Sequence, residues 1–214
     1  MPDETAAPSG FRYVSVCSGV EAAGVAWSGL GWTPEILSEI EAFPRRVLSA
    51  HYPDVELRGD FTELLDDPPT ANLLVGGTPC QSFSVAGARA GLADPRGNLT
   101  SAFAELADAI RSPRAGTTGV DWTLWENVPG VLSDRSNGFG CLLGHLCGAE
   151  KPLRTPDGKS WPVCGVVAGQ KRVAAWRVLD ARHFGVPQRR RRVFLLARRL
   201  GADGPRPDEI LFDV

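Results

Sequence analysis

VSVCSGVEAAG, residues 14–24, decides the fold. Tyr13 to Cys17 is β-branched and apolar enough to read as a strand. Gly19 then breaks the strand, and Gly19 to Leu30 reads as a helix. A strand entering a helix through a glycine turn is the first half of a βαβ unit. Working outward, Ile36 to Ile40 is a second strand, and Pro44 to His51 a second helix with proline in its first turn. A weaker strand falls near Val55 to Leu57, and Leu73 to Val75 is a short buried strand ending in glycines. Leu99 to Ile110 carries Phe103, Leu106 and Ile110 on one helical face, and Trp122 to Trp125 is another buried strand. Strands alternating with helices of this length predict a doubly wound, mostly parallel α/β sheet with right-handed crossovers. Residues 133–175 break the pattern: they are rich in Gly, Pro and Cys, and read as a helix over Phe139 to Leu146 followed by an irregular loop. Ala175 to Leu179 and Val193 to Ala197 are strand-like and flank GVPQRRRR, residues 185–192. Residues 1–10 read as a disordered tail, and 201–214 as a polar tail with an apolar end, ILF.

Composition fits this layout. At about 150 residues per domain, 214 residues make one domain or one with a small appendage. No apolar run reaches the length of a transmembrane helix, and MPDETAAPSG lacks the basic and apolar regions of a signal peptide. The expected compartment is the cytoplasm. Five cysteines, an odd number, do not suggest a disulfide framework. The net charge of -2 hides an asymmetry, because seven arginines fall between Arg182 and Arg199. Such a cluster reads as an anion-binding face or, more plainly, as a solvated surface.

Four short stretches carry chemistry. Gly19 and Gly24, between a strand and a helix, let a ligand approach the backbone at a helix N-terminus. Glu39, about 20 residues on, is placed to hold two ribose hydroxyls, and Asp60 to accept from an adenine amine. The pattern is not G-x-G-x-x-G, so the reading is an adenosine-containing ligand without a strong phosphate cradle; an ordinary tight turn is the plain alternative. GGTPCQSFS puts Cys80 just beyond a strand end, where open α/β sheets bind ligands and where a thiolate can act as a nucleophile. A buried apolar cysteine is the commoner fate, and Cys17, within its strand, reads that way. WENVPG puts Glu126 at another strand end, where it can exchange a proton with a heterocycle or simply cap a helix. In QRRRR, an extended chain turns Arg190 and Arg192 to one face and Arg189 and Arg191 to the other.

Taken together and in order, VCSGVEAAG, PCQSFS, ENV and QRRRRV resemble the DNA (cytosine-5)-methyltransferases, from about Phe11 to Arg199. DPRGN, residues 94–98, resembles a further family motif, and WRVLDARHFGVPQRRRRVFLLA is similar to bacterial and phage members, some tied to restriction-modification. The resemblance implies the Rossmann-like sheet of the S-adenosylmethionine-dependent methyltransferases, with residues 11–200 as catalytic domain. It implies that the Cys80 thiolate adds to C6 of a cytosine flipped out of double-stranded DNA. Glu126 would bind N3 and the exocyclic amine, Asn127 would hold the loop, and Arg192, with Arg190 nearby, would contact O2. S-adenosylmethionine would lie against Cys17, Ser18, Gly19, Val20, Glu21, Glu39, Ile40, Asp60, Phe61, Gly77, Pro79 and Leu99. Gln81, Ser84, Gln188, Arg189 and Arg191 would meet DNA.

Only about 15 residues follow Arg199, whereas the family continues into a target-recognition region and a helix that returns to the cofactor pocket. Three arrangements fit: one half of a split enzyme whose second chain carries recognition, a truncated remnant, or a DNA-contact module within 133–175. The first two are preferred. An apolar face left where the returning helix would pack predicts self-association or a partner. The alternative function is a non-catalytic protein that binds the cofactor, DNA or another methyltransferase; RNA cytosine methylation is a weaker third. Cys141, His145, Cys147 and Cys164 do not match paired C-x-x-C spacing, so no metal is expected. His51 and His183 receive no role.

Overall fold

A computed structural model describes residues 10–79, 99–114, 116–155 and 157–212. Its centre is one eight-stranded sheet, formed by β1 (Arg12–Val16), β2 (Thr33–Ser38), β3 (Glu56–Arg58), β4 (Leu73–Gly76), β5 (Trp122–Asn127), β6 (Cys164–Ala168), β7 (Arg172–Asp180) and β8 (Arg191–Arg199). The helices are α1 (Ala22–Trp27), α2 (Ala42–His51), α3 (Leu99–Ala109), α4 (Gly138–Cys147) and α5 (Pro207–Phe212). The strand order is β3-β2-β1-β4-β5-β8-β7-β6. The first five strands in that order pair in parallel, and β8, β7 and β6 then pair antiparallel in succession. The chain winds from β1 to β3 in one direction and from β4 onward in the other. The crevice of a doubly wound sheet therefore opens at the carboxyl ends of β1 and β4.

Strand alternation sorts the side chains into two faces. Val14, Val16, Leu74, Trp125, Val193 and Leu195 join Phe103 and Leu106 of α3, Ile110 just beyond it, and Phe139, Leu142 and Leu146 of α4 in the main core. On the other face Tyr13, Leu73 and Val75 meet Phe11, Trp27, Trp32, Trp122 and Leu124. That second face is less covered. A groove of about 640 Å³ there runs past Trp27, Trp32, Trp122, Phe194 and Leu211. Among the described residues, no helix is long and apolar enough to cross a membrane.

Arg172, 1 % exposed, ties three elements together at the amino edge. Its guanidinium donates to the Asp108 carboxylate at 2.5 Å, the Ala107 carbonyl at 2.8 Å and the Leu146 carbonyl at 3.2 Å. Lys171 pairs with the same Asp108 carboxylate.

Several boundaries differ from the sequence expectation. The helix expected from Gly19 begins at Ala22, because Cys17, Gly19 and Glu21 all take left-handed backbone angles. β2 ends at Ser38, so Glu39 and Ile40 lie beyond it. The irregular loop expected after Phe139 to Leu146 contains β6, which makes a hairpin with β7. The expected polar tail 201–214 contains α5, whose Leu211 is buried and accepts from Arg177 at 2.7 Å. The expected disordered tail is described only at Gly10, and DPRGN lies outside the described residues.

Candidate functional site

The turn after β1 is a stapled cradle. The Ser18 backbone N–H donates to the Ser38 carbonyl at 3.1 Å, and the Ser18 hydroxyl receives the Ser38 N–H at 3.2 Å. Gly19, at φ +56°, has open space where a Cβ would stand, and its N–H donates to a Glu39 oxygen at 2.8 Å. The other Glu39 oxygen accepts from the Glu41 N–H at 2.9 Å. Arg45 locks the same corner by donating to the Glu39 and Arg58 carbonyls. Each Glu39 oxygen keeps a further lone pair, so a carboxylate already aimed by two N–H groups remains able to take a diol.

Glu21, expected as a ligand contact, faces inward. It is 1 % exposed, accepts from the Ser15 hydroxyl at 2.6 Å and the Gly24 N–H at 2.9 Å, and so caps α1 from a left-handed position. Burial pushes its carboxyl above the usual value, against the lowering effect of these hydrogen bonds. Cys17 sits half-buried at the end of β1; burial, then Glu39 and Asp60, push its thiol up to about 12. Val20 and Ile40 are exposed, at 54 % and 70 %. Asp60 is exposed, and one of its oxygens caps the following 3-10 turn by accepting from Thr62. Phe61 is in the main core, 4 % exposed, so its ring supports the corner from behind and offers little face to a ligand.

The segment leading to Cys80 is held from three sides. The Thr78 carbonyl accepts from the Asn127 side chain at 2.8 Å, and its hydroxyl accepts from the Trp125 indole at 3.1 Å. The same hydroxyl lies 3.2 Å from that of Thr100, in the first turn of α3, next to Leu99. The other side of the Asn127 amide accepts from the Val128 N–H at 2.9 Å. Asn127 therefore clamps two backbone turns. Pro79 is exposed, and Cys80, Gln81 and Ser84 lie outside the described residues.

Glu126 and Arg192 meet across the antiparallel pair β5–β8. Glu126 stands opposite Phe194, so Arg192, two residues along β8, is its diagonal neighbour on the same face. The two side chains form an ion pair at 2.9 Å. The expected roles placed each on a separate edge of a base; here they occupy one another. Gly77 stands behind the pair: a Cβ on it would be 3.0 Å from the Glu126 carbonyl oxygen and 3.2 Å from its carboxylate.

A cavity of about 620 Å³ joins these parts, running from Cys17, Ser18 and Glu21 to Glu126, Arg190 and Arg192. Arg191 lines a separate cleft with Asp180 and Arg182, as the expected alternation requires. Asp180 accepts from the Arg182 and Arg190 backbone N–H groups and so shapes the loop that delivers the arginines. Gln188 and Arg189 are exposed on that loop. Missed from sequence were the inward turn of Glu21 and the Thr78 clamp. The second had a signal in the adjoining Trp125 and Asn127; the first had none, since a left-handed glutamate breaks the usual residue preference.

The model of the family described as C-5 cytosine-specific DNA methylase matches residues 11–144 and 172–205. A protein of Escherichia phage P1 named DNA N-6-adenine-methyltransferase is 46% identical over 211 residues, covering 86% of this chain and 28% of that protein. Type II methyltransferase M2.BsuMI of Bacillus subtilis is 33% identical, covering 87% of this chain and 42% of its own. The chain thus spans less than half the length of these two relatives. The fold matches the crystal structure of S. pombe Dnmt2 methyltransferase with a TM-score of 0.64 at 16% identity, over 95% of this chain and 55% of that one. The sheet, the site at its carboxyl edge and the family match over residues 11–144 and 172–205 agree: the chain belongs to the C-5 cytosine-specific DNA methylase family.

Proposed function

We propose that residues 11–200 form the catalytic domain of a DNA methyltransferase that acts on C5 of cytosine. The observation that carries this reading is the Glu126–Arg192 pair in one cavity with Cys17 and Ser18, the residues that lead into the stapled Gly19–Glu39 corner. The cradle fits S-adenosylmethionine: Glu39 has lone pairs for a ribose diol, and Gly19 leaves room for close approach. Bound there, the cofactor would supply an electrophilic methyl group.

Carbon C5 of cytosine is a poor nucleophile, so a protein must raise its electron density. A Cys80 thiolate adding to C6 does this, and the charge that builds on the ring is neutralised by a proton held at N3. Glu126 would hold that proton, and Arg192 and Arg190, which line the same cavity, would supply donors for O2. Once C5 carries the methyl group, loss of the C5 proton to water re-forms the C5–C6 double bond and expels the Cys80 thiolate. Asn127 keeps the approach to Cys80 in register by clamping Thr78 and Val128. The base must leave the duplex, because C6 is closed within the stack.

The phage P1 relative's name carries a second reading, methylation of the adenine amine. An exocyclic amine nitrogen needs no thiol adduct to make it nucleophilic, so the chemistry of Cys80 separates the two. Protein is mixed with S-adenosylmethionine and random-sequence duplex DNA carrying 5-fluorocytosine, with Cys80→Ser alongside. A covalent adduct formed only with Cys80, and 5-methylcytosine on ordinary DNA, is the expected result. N6-methyladenine with no adduct would overturn it. Cofactor binding with neither product would support the non-catalytic alternative, and adding a second chain that restores the adduct would identify a split enzyme.

A further inference from the structure

Residues 145–171 fall outside the segments that the family model matches. They bring the chain from the end of α4, at the amino edge where Lys171 meets Cys147, back toward the carboxyl edge. The return is firmly seated. Trp161 lies edge-on to both Phe139, at 5.6 Å, and Trp176, at 5.7 Å. Its backbone N–H donates to the Leu132 carbonyl at 2.7 Å and its indole to Asn137 at 3.1 Å. Asn137 in turn donates to the Leu153 carbonyl at 2.8 Å, so one asparagine fixes both ends of the stretch 153–161.

Between those ends, a cleft of about 200 Å³ opens beside the turn that follows Glu126 and Asn127. Arg135, Arg154 and Lys159 line it, with the hydroxyl residues Ser133, Thr155 and Ser160. All three cations are exposed, and none has an ion-pair partner among the described residues. Asp134, also at the cleft, accepts from the Ser136 hydroxyl, and Asp157 accepts from the Lys159 backbone N–H. Three unpaired cations on a rigid aromatic floor, ringed by hydroxyls, suit a phosphate.

We infer that this cleft grips a backbone phosphate of the DNA whose flipped base enters the Glu126 cavity. The inference rests on the DNA reading above. It gives the inserted stretch a task the catalytic residues do not perform: a phosphate contact fixes position on the duplex and carries no sequence information. The insert is then a clamp and not a target-recognition module.

The test measures duplex binding against salt for the wild type and for Arg135→Ala/Arg154→Ala/Lys159→Ala. The replaced side chains are exposed, and circular dichroism checks the fold. Loss of this one phosphate contact lowers the slope of log K against log salt by about 1. The affinity loss should be the same for duplexes of unrelated sequence and should fade at high salt. An unchanged slope with normal wild-type binding overturns the clamp and leaves the DNA reading standing. No DNA binding by the wild type overturns both. Titration with inorganic phosphate separates the remaining source: phosphate heat lost in the variant, with the DNA slope unchanged, assigns the cleft to a free anion and overturns the inference.

Discussion

Arg172 permits a test in which the sign and the coupling are both fixed by geometry. Its guanidinium cannot shed its proton, and it is 1 % exposed with one carboxylate partner, Asp108. In Asp108→Asn the charge stays buried, held only by the Ala107 and Leu146 carbonyls and a neutral amide. Breaking one side of a buried pair costs about 3–5 kcal/mol. The two carbonyls remain, so the expected loss is at the lower end, about 3 kcal/mol. Arg172→Met removes the charge and keeps much of the volume. The Ala107 carbonyl still accepts from Val120, and Asp108 still holds Lys171. The loss there is about 2 kcal/mol, one charged hydrogen bond's worth. The double variant has no stranded guanidinium, so it should also lose only about 2 kcal/mol, well short of the sum. Urea titration read by tryptophan fluorescence and circular dichroism gives the midpoints, with the slope checked for constancy. Heat should show the same order, with Asp108→Asn lower by about 6–12 °C. An Asp108→Asn loss under about 1 kcal/mol, or strict additivity, would refute the stranded-charge reasoning.

Three further outcomes follow from the site. Gly77→Ala places a methyl against the Glu126 carbonyl and carboxylate, shifting the acid by a few tenths of an ångström; methyl transfer should slow about 3–10-fold in kcat with KM for the cofactor little changed. Buried Glu21 has its pKa raised on folding, so the stability of its neutral form is present at low pH and is lost as pH rises through that raised value. Stability curves should therefore show Glu21→Gln gaining on the wild type from about pH 4.5 upward, and a pH-independent difference, or a variant that loses ground as pH rises, would contradict this. Cys17, its thiol pushed up to about 12, should resist iodoacetamide at pH 8 in the native protein and react after urea is added, as read by peptide mass spectrometry.

Strands with a hydrophobic run beside a glycine turn were legible: β1, β4 and β5 stand where the residues put them. So was the carboxyl edge of the sheet as the place for a site, which needs only strands alternating with helices. β6 was not, because a five-residue edge strand of Cys, Gly, Val and Ala has no periodic signal and gains its structure from the hairpin with β7. The boundaries of α1 were hidden by Cys17 and Glu21, which hold left-handed angles that residue type does not announce. The alternation of Arg190 and Arg192 against Arg191 could be read from extended-chain geometry alone. That Arg192 meets Glu126 could not, because it depends on the register of β8 against β5, two strands far apart in the chain. Nor could the burial of Phe61 be read: it is a motif neighbour of Asp60 whose ring packs in the core.

The Glu126–Arg192 pair matches two of the cavity's charges to each other. An arriving ring does not meet a bare acid and a bare guanidinium; it must exchange with a partnership already formed. A ligand that offers only an acceptor, or only a donor, would leave one of the two stranded. On the reading proposed above, a cytosine edge would offer both, at neighbouring ring positions. The pair would then set an entry condition: a ring parts the two side chains only by offering a donor and an acceptor together.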